Sequence, residues 1–315
     1  MEKTSNNSVM KSRTVGSAIS EGLRLYMDNF KRIFRYSWPG ALLYAIAAGI
    51  TNTYTVSQLP RLQVLIMQGQ LPHAQLISQT VPFALASLGV LVSILFFSSY
   101  GYSLLRQHLA TGTISRPVRV FNINLPVLWR TVKNYLCLSL SVIIVSILVT
   151  LILGAAFLAI QGTMSRLLLL SLTTIAVLLF LLPLSYVSMR YMLTDGVGFW
   201  SQLHHAYPVG LRRLGYILAV LLVEVIAILL VNFVVSIPSV VLMSANMLAQ
   251  SGIINGDAVG MPSYMPAMTL VIFTIAGFLS AYILLSVLFP WYYMYGAIEK
   301  EEEDKREAMK NLIKQ

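Results

Sequence analysis

Long apolar segments limit the folds that this chain can adopt. A helix needs roughly 20 apolar residues to cross the hydrocarbon core of a bilayer, and six stretches of the chain approach or exceed that length. Backbone polar groups inside lipid must be hydrogen-bonded within the protein, so we expect helices there rather than open strands. The six predicted spans are residues 37–55, 81–105, 135–160, 166–192, 214–243 and 268–297. The sequence therefore predicts an all-α membrane protein with six transmembrane helices.

The composition agrees with lipid as the main solvent. Hydrophobic residues make up 57% of the chain and charged residues only 11%, whereas soluble domains contain about 45–50% and about 25%. The net charge of +10 is also found in nucleic-acid-binding proteins. Here, however, Lys and Arg lie at the ends of apolar runs, where the positive-inside rule puts them. We therefore expect no nucleic-acid partner.

The distribution of basic residues predicts the topology. Of the 22 Lys and Arg residues, only Arg61 and Arg166 lie in, or at the edge of, the first, third and fifth connections between spans. The other 20 precede the first span, follow the last one, or lie in, or at the edge of, the two remaining connections. Because cytoplasmic loops carry the excess of Lys and Arg, both termini are predicted to be cytoplasmic.

A short basic phrase precedes three of the apolar runs. It reads FKRI at 30–33, VKNY at 132–135 and LRRL at 211–214. The residues before the first copy are apolar at helical spacing, which is typical of an amphipathic helix lying in the membrane interface. We interpret the chain as three repeats, each an interfacial elbow helix followed by a transmembrane hairpin. The repeats cover about residues 14–105, 117–192 and 197–297, within a membrane domain at 14–298 that is flanked by a polar tail at 1–13 and a charged cytoplasmic helix at 299–315.

Basic residues at the elbows are predicted to contact anionic lipid headgroups. Each such charge contributes on the order of 1 kcal/mol near an anionic membrane surface. The residues concerned are Lys31, Arg32, Lys133, Arg212 and Arg213.

Tyrosines cluster where the second, fourth and sixth predicted spans end. The clusters lie at residues 99–102, 185–188 and 291–295. Tyr and Trp favour the boundary between membrane and water, so the pattern predicts an aromatic belt. A shared tyrosine-lined pocket is the alternative.

Glu224 is the acidic residue inside a predicted span, and an ionisable group at membrane depth is a candidate for function. Asn232 lies about two helical turns further along the same segment. Arg190, at the end of the fourth span, or a tyrosine hydroxyl is a candidate partner for the carboxyl group. The structural alternative is a hydrogen bond or ion pair that fixes helix packing.

The sequence contains few signals of metal binding or catalysis. The four histidines are scattered, and the adjacent pair His204-His205 faces different sides of a helix, so it does not form a chelating i,i+4 pair. The chain contains no phosphate-binding loop, dinucleotide turn, nucleophile elbow or zinc-protease motif. We therefore expect no metal, no cofactor and no enzymatic activity.

Two segments resemble a known family. Residues 14–34, TVGSAISEGLRLYMDNFKRIF, resemble the elbow helix that opens the integral-membrane domain of some bacterial glycerophosphoryl diester phosphodiesterases. Residues 182–213, with the Asp195-Gly196 turn, resemble the middle of that domain. Similar domains also occur alone in bacterial membrane proteins. The resemblance implies a six-span domain of the cytoplasmic membrane. In the fused proteins the catalytic part is a separate soluble barrel, so the resemblance does not imply that activity for this chain.

Three functions remain open at this stage. The first is a non-catalytic membrane scaffold, lipid-interacting protein or accessory subunit. Its partners would be anionic membrane lipids, and a protein bound through the C-terminal helix or the membrane domain. The second is a transporter of a small solute or lipid that uses Glu224, although transporter folds usually pair two halves with broken helices at the midplane. The third is an intramembrane enzyme, for which no nucleophile and base are visible.

Overall fold

The structure is a computed structural model that describes residues 9–67, 73–114, 125–159, 162–254 and 262–313. Every regular element within these ranges is a helix, so the all-α class is confirmed for them. The helices are α1 Val15–Asp28, α2 Phe30–Met67, α3 His73–Thr111, α4 Leu125–Ala159, α5 Thr163–Leu181, α6 Pro183–Leu193, α7 Phe199–Arg212, α8 Leu214–Ile254, α9 Met265–Ser286 and α10 Leu288–Ile313.

Five segments are helical, long and apolar enough to cross a membrane. They contain the second to sixth predicted spans almost completely, and two of them are interrupted, at Leu182 between α5 and α6 and at Val287 between α9 and α10. This finding supports a membrane-embedded, multi-pass protein. The five segments are Thr80–Thr111, Leu125–Gly154, Thr163–Leu193, Leu214–Ala249 and Met265–Ile313.

The first predicted span, residues 37–55, lies in α2, which is not among these five segments. The region is helical, but Gly49, Thr51, Asn52 and Thr53 lower its mean hydropathy. The six-span arrangement therefore stays a prediction.

The chain forms two compact units from discontinuous segments. Unit 1 contains Met1–Asn29, Gly101–Glu224 and Leu288–Gln315, and unit 2 contains Phe30–Tyr100 and Val225–Val287. α3 and α8 contribute residues to both units.

The first half of α10 supplies much of the core of unit 1. Tyr292 is fully buried, and its hydroxyl lies 3.0 Å from Nδ1 of His108. Tyr186 is also buried, and its hydroxyl donates a 2.6 Å hydrogen bond to Glu299. The predicted aromatic belt is therefore wrong for these tyrosines, because they find polar partners inside the protein. The buried residues of α10 are Phe289, Pro290, Tyr292, Tyr293, Met294, Tyr295, Gly296, Ala297 and Ile298.

The two amphipathic helices of unit 1, α1 and α7, pack against prolines of α10 and α6. In α1, a Cβ atom at Gly22 would lie 2.5 Å from the backbone nitrogen of Pro290 in α10. In α7, a Cβ atom at Gly210 would lie 3.0 Å from Cβ of Pro183 in α6. A Cβ atom would overlap the Pro290 backbone at Gly22, and at Gly210 it would require Pro183 to shift by a few tenths of an ångström, so glycine permits both close crossings. α1 and α7 therefore each have a protein-facing side.

Unit 2 is organised around close packing of α2 on α9. Ala41, Ala45 and Ala48 are buried on α2, and a Cβ atom at Gly277 of α9 would lie 3.3 Å from Cα of Ala45. Small residues of this kind let membrane helices approach closely. At one end of this contact the ring of Tyr282 stacks on Phe34, with centroids 5.4 Å apart.

Candidate functional site

Glu224 is a buried carboxyl group at the end of the α8 segment in unit 1. Only 6% of the residue is exposed. Oε2 accepts a hydrogen bond from Nε1 of Trp291 in α10, whereas Oε1 has no hydrogen-bond partner among the described residues. A carboxyl oxygen can accept from an indole N–H whether the acid is ionised or neutral. The contact therefore fixes the orientation of the side chain without requiring its charge.

The other two residues of the predicted intramembrane site have partners of their own. Nε of Arg190 lies 3.1 Å from Oε1 of Glu299, which also accepts the Tyr186 hydroxyl. In unit 2, Oδ1 of Asn232 accepts a 2.9 Å hydrogen bond from Ser280, and Nδ2 donates to its own helix at Ile228. The partner of Glu224 is thus Trp291 rather than Arg190. Sequence reasoning missed Trp291 and Glu299, since both had been assigned to a membrane boundary or a solvated tail.

The predicted headgroup residues fall into different environments. Lys31 and Arg32 are exposed at the start of α2, and Arg212 is exposed at the end of α7. Arg213 forms an ion pair with Glu301 of α10, so its charge is already balanced by the protein. Lys133 is exposed on α4, with Nζ 5.4 Å from the centre of the Trp129 ring. Contact of these residues with headgroups stays a prediction.

An apolar groove lies between α4, α5 and α7 in unit 1, and we call it the α4–α5–α7 groove. Its volume is about 810 Å³, within the roughly 300–1,000 Å³ range of ligand pockets. Two of its walls are candidate membrane spans and the third is the amphipathic helix α7. Representative lining residues are Val145 and Leu148 from α4, Val177 and Phe180 from α5, and Trp200 and Leu203 from α7.

Most polar groups that line the groove are already hydrogen-bonded. The hydroxyls of Ser141 and Thr173 each donate a 2.8 Å bond to a carbonyl of their own helix. The Tyr207 hydroxyl donates a 2.9 Å bond to the carbonyl of Phe180, and burial raises the pKa of this hydroxyl. The remaining polar side chain, His204, is exposed on α7. The groove therefore presents mainly hydrocarbon to an occupant.

A second, smaller pocket of about 340 Å³ lies at the start of α4 and carries basic residues. We call it the basic pocket. Gly196 lines it with φ of +77°, a backbone conformation that favours glycine. Its lining residues are Pro126, Trp129, Arg130, Lys133, Tyr191, Gly196 and Val197.

Two arginines hold the turn beside the basic pocket in place. Arg106 of α3 and Arg130 of α4 both form ion pairs with the same oxygen of Asp195. Arg130 also donates to the carbonyls of Tyr191 and Thr194 and lies 4.5 Å from the centre of the Tyr191 ring. The sequence holds one signal for this cluster: Asp195 is the sole acidic residue between Asp28 and Glu224, surrounded by basic connections.

Within the described part of the chain, no three His, Cys, Asp or Glu side chains group as metal ligands would. Comparison with known protein families, with curated proteins and with solved structures gives no match to this chain. The resemblance to the phosphodiesterase membrane domain therefore stays a prediction.

Proposed function

We propose that this chain is a non-catalytic, multi-pass protein of a bacterial inner membrane that binds membrane lipid in the α4–α5–α7 groove. The observation that carries the proposal is the groove itself, with its volume of about 810 Å³ and a mainly apolar wall. A solute that must stay hydrated would lose hydrogen bonds there without replacement. An acyl chain has no hydrogen bonds to water to lose on entering the groove.

The location of the groove also supports a lipid as the occupant. α4 and α5 are candidate spans, so a groove between them opens at the depth of hydrocarbon chains. Large apolar side chains next to it are exposed, including Leu151 at 66% and Leu172 at 65%. In a bilayer, lipid covers such exposed apolar side chains. The groove extends this apolar surface into the protein.

The wider arrangement that we propose is three elbow-and-hairpin repeats with both termini in the cytoplasm. The packing of the elbow helices supports it, because α1 and α7 each have 14 residues and each packs through a glycine against a proline of a return helix. The ends of the two helices correspond at an offset of 184, and the basic phrases at 30–33 and 211–214 correspond at an offset of 181. Basic residues at such elbows suit anionic headgroups. A role as an accessory subunit of a larger assembly fits the same design.

Native mass spectrometry of the purified full chain tests lipid binding directly. In Val177→Trp the indole should fill the groove, whereas Ile175→Trp alters an exposed residue of the same helix that does not line it. If the indole excludes two methylene groups of an acyl chain from the groove, lipid binding weakens by about 1.6 kcal/mol. The Val177→Trp protein should therefore retain roughly tenfold less lipid. Wild type and Ile175→Trp should retain equal amounts. Equal retention by all three proteins would contradict the proposal.

A further inference from the structure

We propose that the basic pocket and the α4–α5–α7 groove together bind one anionic glycerophospholipid, with its phosphate at Lys133 and an acyl chain in the groove. This inference rests on the proposed function and adds the headgroup class and the orientation of the lipid. A glycerophospholipid joins an anionic headgroup to apolar chains in one molecule. Its two binding sites must therefore be adjacent, with an open path between them.

α4 forms the first connection between the two sites. Arg130 and Lys133 line the basic pocket, and Ser141, Val145 and Leu148 line the groove. Cys137 lies between them, so successive positions are separated by three or four residues and form a continuous stripe along the helix. Eight residues separate Lys133 from Ser141, a rise of about 12 Å. That rise places the pocket and the groove at successive levels of one helix.

The segment that joins α6 to α7 forms the second connection. Gly196 and Val197 line the basic pocket, and Trp200 and Leu203 line the groove a few residues later. Two separate parts of unit 1 therefore run from the basic pocket to the groove. A Cβ atom at Gly196 or Gly198 would meet no described residue within 4 Å, so among the described residues this wall leaves space for a headgroup.

The charges around the basic pocket favour an anion. Arg106, Arg130 and Lys133 are three positive groups, and Asp195 is the one carboxylate that the described residues place against them. Three positive charges and one negative charge leave a net charge of +2. Arg106 and Arg130 share the Asp195 carboxylate, but Lys133 forms no ion pair among the described residues. Its ammonium group is therefore the one available for a phosphate.

A lipid explains both sites better than a free anion does. Inorganic phosphate or a soluble anion would use the basic pocket and leave the apolar groove without an occupant. A neutral or zwitterionic lipid would use the groove but gain less from the net charge of the pocket, since each basic group near the headgroup level favours an anionic lipid. The pair of sites therefore points to a lipid with a net negative headgroup.

Photocrosslinking in lipid nanodiscs tests the inference with the full chain. The discs contain phosphatidylcholine and a trace of phosphatidylglycerol that carries a diazirine in its acyl chain. Crosslinks should map by mass spectrometry to peptides of α4, α5 and α7. Unlabelled phosphatidylglycerol should compete for this labelling at roughly tenfold lower concentration than unlabelled phosphatidylcholine.

Two matched lysine variants locate the headgroup. Lys133→Gln should lower the preference for phosphatidylglycerol about fivefold. Lys310→Gln, which removes one exposed lysine from the last turn of α10, should leave the preference unchanged. Neither substitution affects a buried residue, and thermal melting of both variants checks that folding is retained. The competition on the wild-type chain decides the headgroup class even without the variants.

The outcomes separate the two proposals. Crosslinks in the groove with equal competition by both lipids, or with no effect of Lys133→Gln, would overturn the anionic assignment and leave lipid binding intact. The absence of crosslinks from α4, α5 and α7 would overturn both. Competition by free inorganic phosphate as effective as that by phosphatidylglycerol would show a site for the free anion and would also overturn the inference.

Discussion

Glu224 is the residue for which a structural role and a functional role predict different results in stability and activity measurements. Glu224→Gln keeps an oxygen for the Trp291 N–H and should leave the melting temperature close to that of the wild type. Glu224→Leu leaves this N–H without its acceptor, and polar contacts between membrane helices average about 0.6 kcal/mol and rarely exceed about 2 kcal/mol. We expect a loss of that size, measured by thermal unfolding in detergent.

A double-mutant cycle provides the control for this residue. In a Trp291→Phe background the indole N–H is absent, so Glu224→Leu should cost less than it does in the wild type. The rival transporter function predicts another pattern, because an amide cannot carry a proton as a carboxyl group does. Proton or solute flux in proteoliposomes that vanishes in a normally stable Glu224→Gln protein would contradict the structural role.

At the scale of single helices, α1 offers a matched pair of glycines. Gly16 is exposed with open space around it, whereas Gly22 lies against the backbone of Pro290. Ala is better than Gly in a helix by about 1 kcal/mol, so Gly16→Ala should stabilise the protein by up to that amount. Gly22→Ala should destabilise it by about 1–3 kcal/mol, since forced overpacking costs that much. Thermal unfolding of the two variants side by side makes the comparison.

The outcome tests whether α1 is docked on protein or lies freely in the interface. On a freely lying helix both glycines would be equivalent, and both substitutions would stabilise. Equal melting temperatures for Gly16→Ala and Gly22→Ala would therefore contradict the contact between α1 and α10.

Hydrophobic periodicity predicted the helices well but not the faces through which they pack. The helical class and the five apolar segments follow from local pattern, because helix formation depends on nearby residues. Tyr292 looked like a boundary residue, since hydropathy does not reveal that His108, 184 positions earlier, meets its hydroxyl. The Asp195 cluster was missed for the same reason: Arg106 and Arg130 approach it only through tertiary packing. The groove depends on three helices together and has no sequence signature.

For the whole molecule, the number of membrane crossings is the property that remains to be measured. Twenty basic residues on one predicted side against two on the other predict six spans, whereas five described segments meet the length and hydropathy of a span. Six crossings put Lys11 and Lys310 on the same side, and five put them on opposite sides.

Single-cysteine labelling distinguishes these topologies. Cys137 is the sole native cysteine, so Lys11→Cys, Ser263→Cys and Lys310→Cys can each be built in a Cys137→Ser chain. We expect a membrane-impermeant maleimide to label position 263 on intact spheroplasts. Positions 11 and 310 should react only after permeabilisation. Labelling of position 11 together with position 263 in intact cells would instead mean that α2 does not cross.

The contribution of α10 to the core of unit 1 has a consequence for biosynthesis. α1 is made before every other described helix, yet the proline that it packs against belongs to α10, which the ribosome makes after all the others. The segments of unit 1 made earlier, including Tyr186, Arg190 and Arg213, also await their α10 partners. The core of unit 1 therefore stays incomplete until the ribosome has made α10.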